Sequence, residues 1–153
     1  MPQRTIDIIM NRVTGRMSSN QHLVRSIVAL RNEGGGALAS GDMLYPDPIL
    51  VGRNEERLRA LASAYNIECW DTNLERCLAN PEDSLYFDAQ TTSLWADALR
   101  LAIAAGKHAY CEKPVAGDLA MVLELLDLAR HAGSMHGVVQ DKLFYQACGS
   151  SSA

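Results

Sequence analysis

Short apolar runs alternate with longer segments of helical period along the chain. Thr5 to Met10 predicts a first strand. Asn20 to Asn32 predicts a helix, because Leu23, Ile27 and Leu30 recur at a spacing that shares one face. Gly34, Gly35 and Gly36 end it, since glycine tolerates the backbone angles of a helix terminus. Ala37 to Ala39 and Met43 to Tyr45 flank Ser40, Gly41 and Asp42 and predict a small hairpin, with Pro46 and Pro48 bracketing its exit. Ile49 to Gly52 predicts the second core strand. Asn54 to Tyr65 follows as a helix with Leu58, Leu61 and Ala62 inward, and Ile67 to Trp70 as a short third strand. Leu74 to Ala79 predicts a short helix and Leu85 to Ala89 a fourth strand. Leu94 to Ala105, rich in the strong helix formers Ala and Leu, predicts the next helix. His108 to Cys111 is a fifth strand. Asp118 caps a helix that runs to Ala132 and closes at Gly133, and Met135 to Val139 is a sixth strand.

Six strands with helices between them imply βαβ units and a mostly parallel sheet. Right-handed crossovers then place helices on both faces, giving a Rossmann-type, doubly wound α/β domain over residues 1–145. Residues 146–153, which close on Gly149-Ser150-Ser151-Ser152-Ala153, predict a flexible tail. A chain of 153 residues can bury roughly 70% of its unfolded surface, enough for a real core. Apolar residues are 48% and charged residues 21%, as in soluble globular proteins. The net charge of -4 argues against nucleic acid or a membrane surface as a partner chosen by bulk charge. No apolar run approaches the ~20 residues of a membrane span. The N-terminus leads straight into a strand pattern with no signal-peptide core, so a cytoplasmic location is expected. Cys69, Cys77, Cys111 and Cys148 form no CxxC pair and the four histidines are scattered, so no metal site is expected.

Candidate chemistry collects at the predicted carboxyl ends of strands, where open α/β sheets bind ligands. The loop after the first strand holds Thr14, Gly15, Arg16 and Met17. Its backbone N–H groups, with those of the following helix start, suit a cofactor phosphate. Only one glycine is present, so an ordinary strand-to-helix loop is the competing reading. The second strand ends at Gly52, Arg53 and Asn54. An NAD-type domain carries a carboxylate there, whereas an arginine suits a 2′-phosphate, so Arg53 favours NADP over NAD, with a solvated arginine near a helix start as the competing reading. Thr91 and Thr92 after the fourth strand can border the cofactor or cap a helix. Gln140 after the sixth can do the former or lie in a surface turn. After the fifth strand comes Glu112-Lys113-Pro114, an unusual charge placement at the end of a buried strand.

Arg53, Glu112-Lys113-Pro114 and the segment Val138 to Lys142 together resemble the Gfo/Idh/MocA oxidoreductase family, across nearly the whole chain. The resemblance implies a nicotinamide-dinucleotide domain and a separate C-terminal domain that forms much of the substrate pocket. It implies that Lys113 lies near the nicotinamide and polarises the reacting hydroxyl or carbonyl of a sugar- or polyol-like substrate, with Glu112 beside it. A cis bond before Pro114 would aim that lysine inward. Two features depart from the family. Arg12 and Ser18 stand where a GxxGxxG loop carries glycines, and an arginine Cβ resists positive φ; Arg12 and Arg16 could instead attract phosphate charge, but weakened cofactor binding is expected more than enhanced binding. The chain also stops soon after the sixth strand. The substrate domain is therefore expected to be absent, the chain inactive alone and prone to self-association through uncovered apolar surface. An oxidoreductase cofactor domain, a non-catalytic nucleotide-binding module and a degenerate fragment with impaired cofactor binding all stay open.

Overall fold

A computed structural model describes residues 3–89 and 95–139. Seven strands form one sheet: β1 (Gln3–Asn11), β2 (Gly36–Ala37), β3 (Met43–Val51), β4 (Trp70–Asp71), β5 (Leu85–Asp88), β6 (His108–Cys111) and β7 (His136–Val138). The order is β2-β3-β1-β5-β6-β7, with β4 also paired to β3. Every pairing is parallel except β2 with β3. The helices are a π-helix (Ser18–Val28) continuing into α1 (Ala29–Asn32), then α2 (Glu55–Tyr65), α3 (Leu74–Leu78), α4 (Trp95–Ala104) and α5 (Leu119–His131). This is the expected Rossmann-type fold, with β2 added as a short antiparallel seventh strand.

Strand alternation builds two cores, one on each face of the sheet. Ile8, Met10, Leu50 and Phe87 point to the face covered by the π-helix and α2, where they meet Leu23, Val28, Leu58 and Ala62. Their neighbours Ile9, Val51 and Tyr86 point to the other face, against Leu78 of α3, Leu99 and Ile103 of α4 and Leu125 of α5. The strands are apolar on both sides because both sides are covered. Among the described residues, no helix is long and apolar enough to cross a membrane.

The second core strand is longer than its apolar run predicts. It runs unbroken through Pro46 and Pro48, which were expected to lie outside it. The Leu50 and Gly52 N–H groups donate outward, to Cys69 and Asp71. Residues two apart face the same way, so the N–H that each proline lacks would also have pointed away from β1. β2 pairs β3 only at Met43 and Leu44, and β4 only at Leu50 and Val51. The prolines thus occupy the stretch of edge that neither covers, the place where a strand tolerates them. The hairpin closes as expected, and Gly35 belongs to it by necessity: a Cβ there would sit 2.6 Å from the Leu44 oxygen.

The first helix departs from its expected period. Helical turns begin at Arg16, earlier than Asn20, and Ser18–Val28 is π-helical. Hydrogen bonds in such a helix reach one residue further than in an α-helix. The buried face therefore reads Ser18, Leu23 and Val28, five residues apart, while Leu30, expected inward, is exposed. The third strand is also displaced, to Trp70–Asp71, and Ile67 is buried as a loop residue before it. The remaining elements match within a residue or two. Asn54, Asn73 and Asp118 accept the N–H three residues on, capping α2, α3 and α5.

Candidate functional site

From β1 the sheet continues to β3 on one side and to β5 on the other, so the chain changes winding direction at the carboxyl end of β1. A crevice opens at such a point in doubly wound sheets. Three buried polar residues meet there. Asn11 Nδ2 donates to the Tyr86 hydroxyl at 2.8 Å, and that hydroxyl donates to Asp88 Oδ2. Asp88 and Tyr86 are fully buried and Asn11 nearly so. The bonds satisfy groups that would be costly to bury alone, and they tie the tips of β1 and β5 together. Sequence reading passed over Asn11, Tyr86 and Asp88. The available signal was a polar residue closing each of two strands directly after an apolar stretch, Ile8 to Met10 and Leu85 to Phe87.

The loop after β1 keeps a glycine-like shape without the glycine. Arg12 has φ +60°, a left-handed conformation that costs a non-glycine residue about 1–2 kcal/mol. The expectation that an arginine Cβ would resist this angle is overridden by the loop's anchors. The Val13 N–H donates to the Val51 oxygen at 3.2 Å, and the Gly15 N–H to the Arg12 oxygen at 3.1 Å. Val13 itself is fully buried in the core. Thr14 packs on the tip of β3: a Cβ on Gly52 would lie 3.3 Å from Thr14 Oγ1, so a larger residue would lift the loop. Gly15, Arg16 and Met17 are exposed at the start of the first helix, where the leading N–H groups face the rim. Ser18 is buried as it opens the π-helix, and its hydroxyl has no hydrogen-bond partner among the described residues.

Arg53 follows β3 and is exposed. Asn54 beside it spends its side-chain oxygen on the Arg57 N–H, 2.9 Å away, so it serves the helix start first. Asn11, Arg12, Gly52, Arg53, Thr72 and Leu101 border a cleft of about 260 Å³ between the tip of β3 and α4. Thr91, Thr92 and Gln140 lie outside the described residues.

Past β6 the chain reaches the other end of the rim. Glu112 is half-buried, with Oε1 2.6 Å from His22 Nε2 of the π-helix and Oε2 accepting from the Lys113 N–H at 3.2 Å. The His22 contact is close without the alignment of a hydrogen bond. The His22 ring also packs on Phe87, 4.8 Å between centroids. His22 is a further residue that sequence reading passed over, and nothing in its helical surroundings singled it out. The Lys113–Pro114 peptide bond is cis, and Lys113 is exposed. Burial first, then Asp88 and Glu112, push the Cys111 thiol up to about 12, so it remains a protonated packing residue at neutral pH. Among the described residues, no group of His, Cys, Asp or Glu could hold a metal ion.

The exposed helix start, Arg16 and Arg53 place backbone N–H groups and positive charge along this rim, which suits an anionic ligand. A smaller, apolar cavity of about 170 Å³ lies between α4, α5 and β6–β7, lined by residues such as Leu99, Val122 and Val138. It offers almost no polar group to orient a ligand.

The family model described as an oxidoreductase family with an NAD-binding Rossmann fold matches residues 48–140. The chain is 43% identical over 139 residues to a D-xylose dehydrogenase of Paenarthrobacter nicotinovorans, covering 91% of this chain and 36% of that protein. It is 32% identical over 88 residues to a 1,5-anhydro-D-fructose reductase of Ensifer adhaerens, covering 58% of this chain and 26% of the relative. The chain thus spans about a third or less of the length of these relatives. The fold superposes on an NAD-binding protein from Listeria innocua with a TM-score of 0.71 at 19% identity, over 95% of this chain and 37% of that one.

Proposed function

The chain belongs to the Gfo/Idh/MocA oxidoreductase family, by its NAD-binding Rossmann fold, and on that premise we propose that it is the cofactor-binding part of an NADP-preferring dehydrogenase or reductase acting on a sugar- or polyol-like substrate. The observation that carries the cofactor preference is Arg53 at the tip of β3, with no carboxylate at that tip. A guanidinium there pairs with a 2′-phosphate and has nothing comparable to gain from a bare ribose hydroxyl. The two relatives, which are named for sugars, support the substrate class.

When bound, the nicotinamide supplies or accepts the hydride. Lys113 holds a proton donor toward the substrate oxygen, stabilising charge as it develops there. Glu112, braced by His22 and by the Lys113 N–H, fixes the segment that carries the lysine. Asn11, Tyr86 and Asp88 keep the floor of the crevice rigid between the two ends.

Fluorescence titration tests the preference. NADPH should bind more tightly than NADH, and Arg53→Ala should weaken NADPH by about 1.5–3 kcal/mol, roughly ten- to hundredfold, with little change for NADH. Equal affinity of the wild type for the two dinucleotides would remove the NADP assignment.

A further inference from the structure

We propose that Arg12 is a second specificity-determining residue, closing with Arg53 as a two-guanidinium clamp on the 2′-phosphate of the dinucleotide. The proposal rests on the cofactor reading above and deepens it at one end of the same site.

Both arginines border one small cleft. Five other arginines are ion-paired, Arg4 with Asp42, Arg31 with Asp47, Arg59 with Glu55, Arg76 with Asp71, and Arg100 with Asp97 and Glu124, while Arg16, Arg25, Arg57 and Arg130 do not border this cleft. Among the described residues, neither Arg12 nor Arg53 has such a partner. Asp97 also borders the cleft, but its carboxylate is held 2.9 Å from Arg100. In a protein of net charge -4, two uncompensated guanidiniums facing one cleft form a local anion site.

The place of the cleft selects which phosphate. Val51, Leu74 and Ala98 put it on the α3–α4 side of the sheet. The first helix, whose leading N–H groups suit the pyrophosphate, packs on the opposite side. The cleft instead adjoins the tip of β3, the strand end that meets the adenosine ribose in this fold. A phosphate monoester carries close to two negative charges at neutral pH and three acceptor oxygens, so it can engage two guanidinium forks at once. A bare ribose offers neither. The left-handed backbone of Arg12 has the same meaning: strain kept at a site where glycine would relieve it points to work done by the side chain. On this view Arg12 does not obstruct the cofactor, as its place in the loop suggested, but selects the phosphorylated form.

Calorimetric titration of the wild type, Arg12→Gly, Arg12→Lys and Arg53→Ala with NADPH, NADH, adenosine 2′,5′-bisphosphate and 5′-AMP tests the clamp. Arg12→Gly places the residue best suited to φ +60°, so the fold is retained. It should lose about tenfold or more for NADPH and for the bisphosphate, as expected for a lost charge-assisted contact, while NADH and 5′-AMP stay within about twofold. Arg12→Lys should recover part of the loss. An NADPH preference that survives Arg12→Gly unchanged overturns the clamp alone. Tighter binding of both dinucleotides by that variant overturns it too, and makes Arg12 an obstacle. A wild type that binds both dinucleotides alike, or neither, overturns the clamp together with the assignment of Arg53.

Discussion

Ser18 shows how one atom in the wrong place reports on a whole loop. It stands where the dinucleotide-binding loop carries its packing glycine, and its hydroxyl is buried without a partner among the described residues. A buried unsatisfied hydroxyl costs about 1–3 kcal/mol. Ser18→Ala keeps the Cβ and removes only the oxygen, so it should stabilise the fold by on the order of 1 kcal/mol. A urea midpoint lowered by this substitution would mean that the hydroxyl has a favourable contact after all. Arg12 is the contrasting residue: its cost lies in the backbone and its side chain is free to act. The type of both residues was plain in the chain. What was not plain is that the loop would hold φ +60° at Arg12, because that angle is imposed by the hydrogen bond from Val13 to Val51, a residue on another strand.

At the scale of elements, capping was the most readable signal. Asp118 was expected to start the last helix, and its Oδ1 accepts the Met121 N–H at 2.9 Å. Asp118→Ala should therefore cost about 1 kcal/mol of stability in equilibrium urea unfolding. A loss below a few tenths would show that solvent replaces the cap. Caps are legible because they depend on residues three apart. Strand extent is less so. Pro46 and Pro48 signal a break until β2 and β4 are seen to leave that edge of β3 uncovered. The π-helix was likewise hidden, since Leu23 and Ile27 satisfy an α spacing while the buried set is Ser18, Leu23 and Val28.

Across the whole molecule, the sheet sets the two ends of the site apart. Arg53 follows β3 and Lys113 follows β6, three strand positions away, so roughly 14 Å of rim separates their strands. Groups that far apart with no shared partner act independently. In a double-mutant cycle on NADPH binding, Arg53→Ala and Lys113→Ala should add to within about 0.5 kcal/mol. A larger coupling would place both residues on one part of the cofactor and contradict a dinucleotide lying along the rim.

The α/β pattern, the parallel winding, the carboxyl-edge location of Arg53 and Glu112-Lys113-Pro114, and the helix caps all follow from local periodicity and short-range chemistry, which the order of residues carries directly. The meeting of Arg12 and Arg53 at the border of one cleft, the contact of Glu112 with His22, and the Asn11–Tyr86–Asp88 network follow only from tertiary structure. Each joins residues far apart in the chain that become neighbours only once the strands have found their order, and no local rule records that meeting.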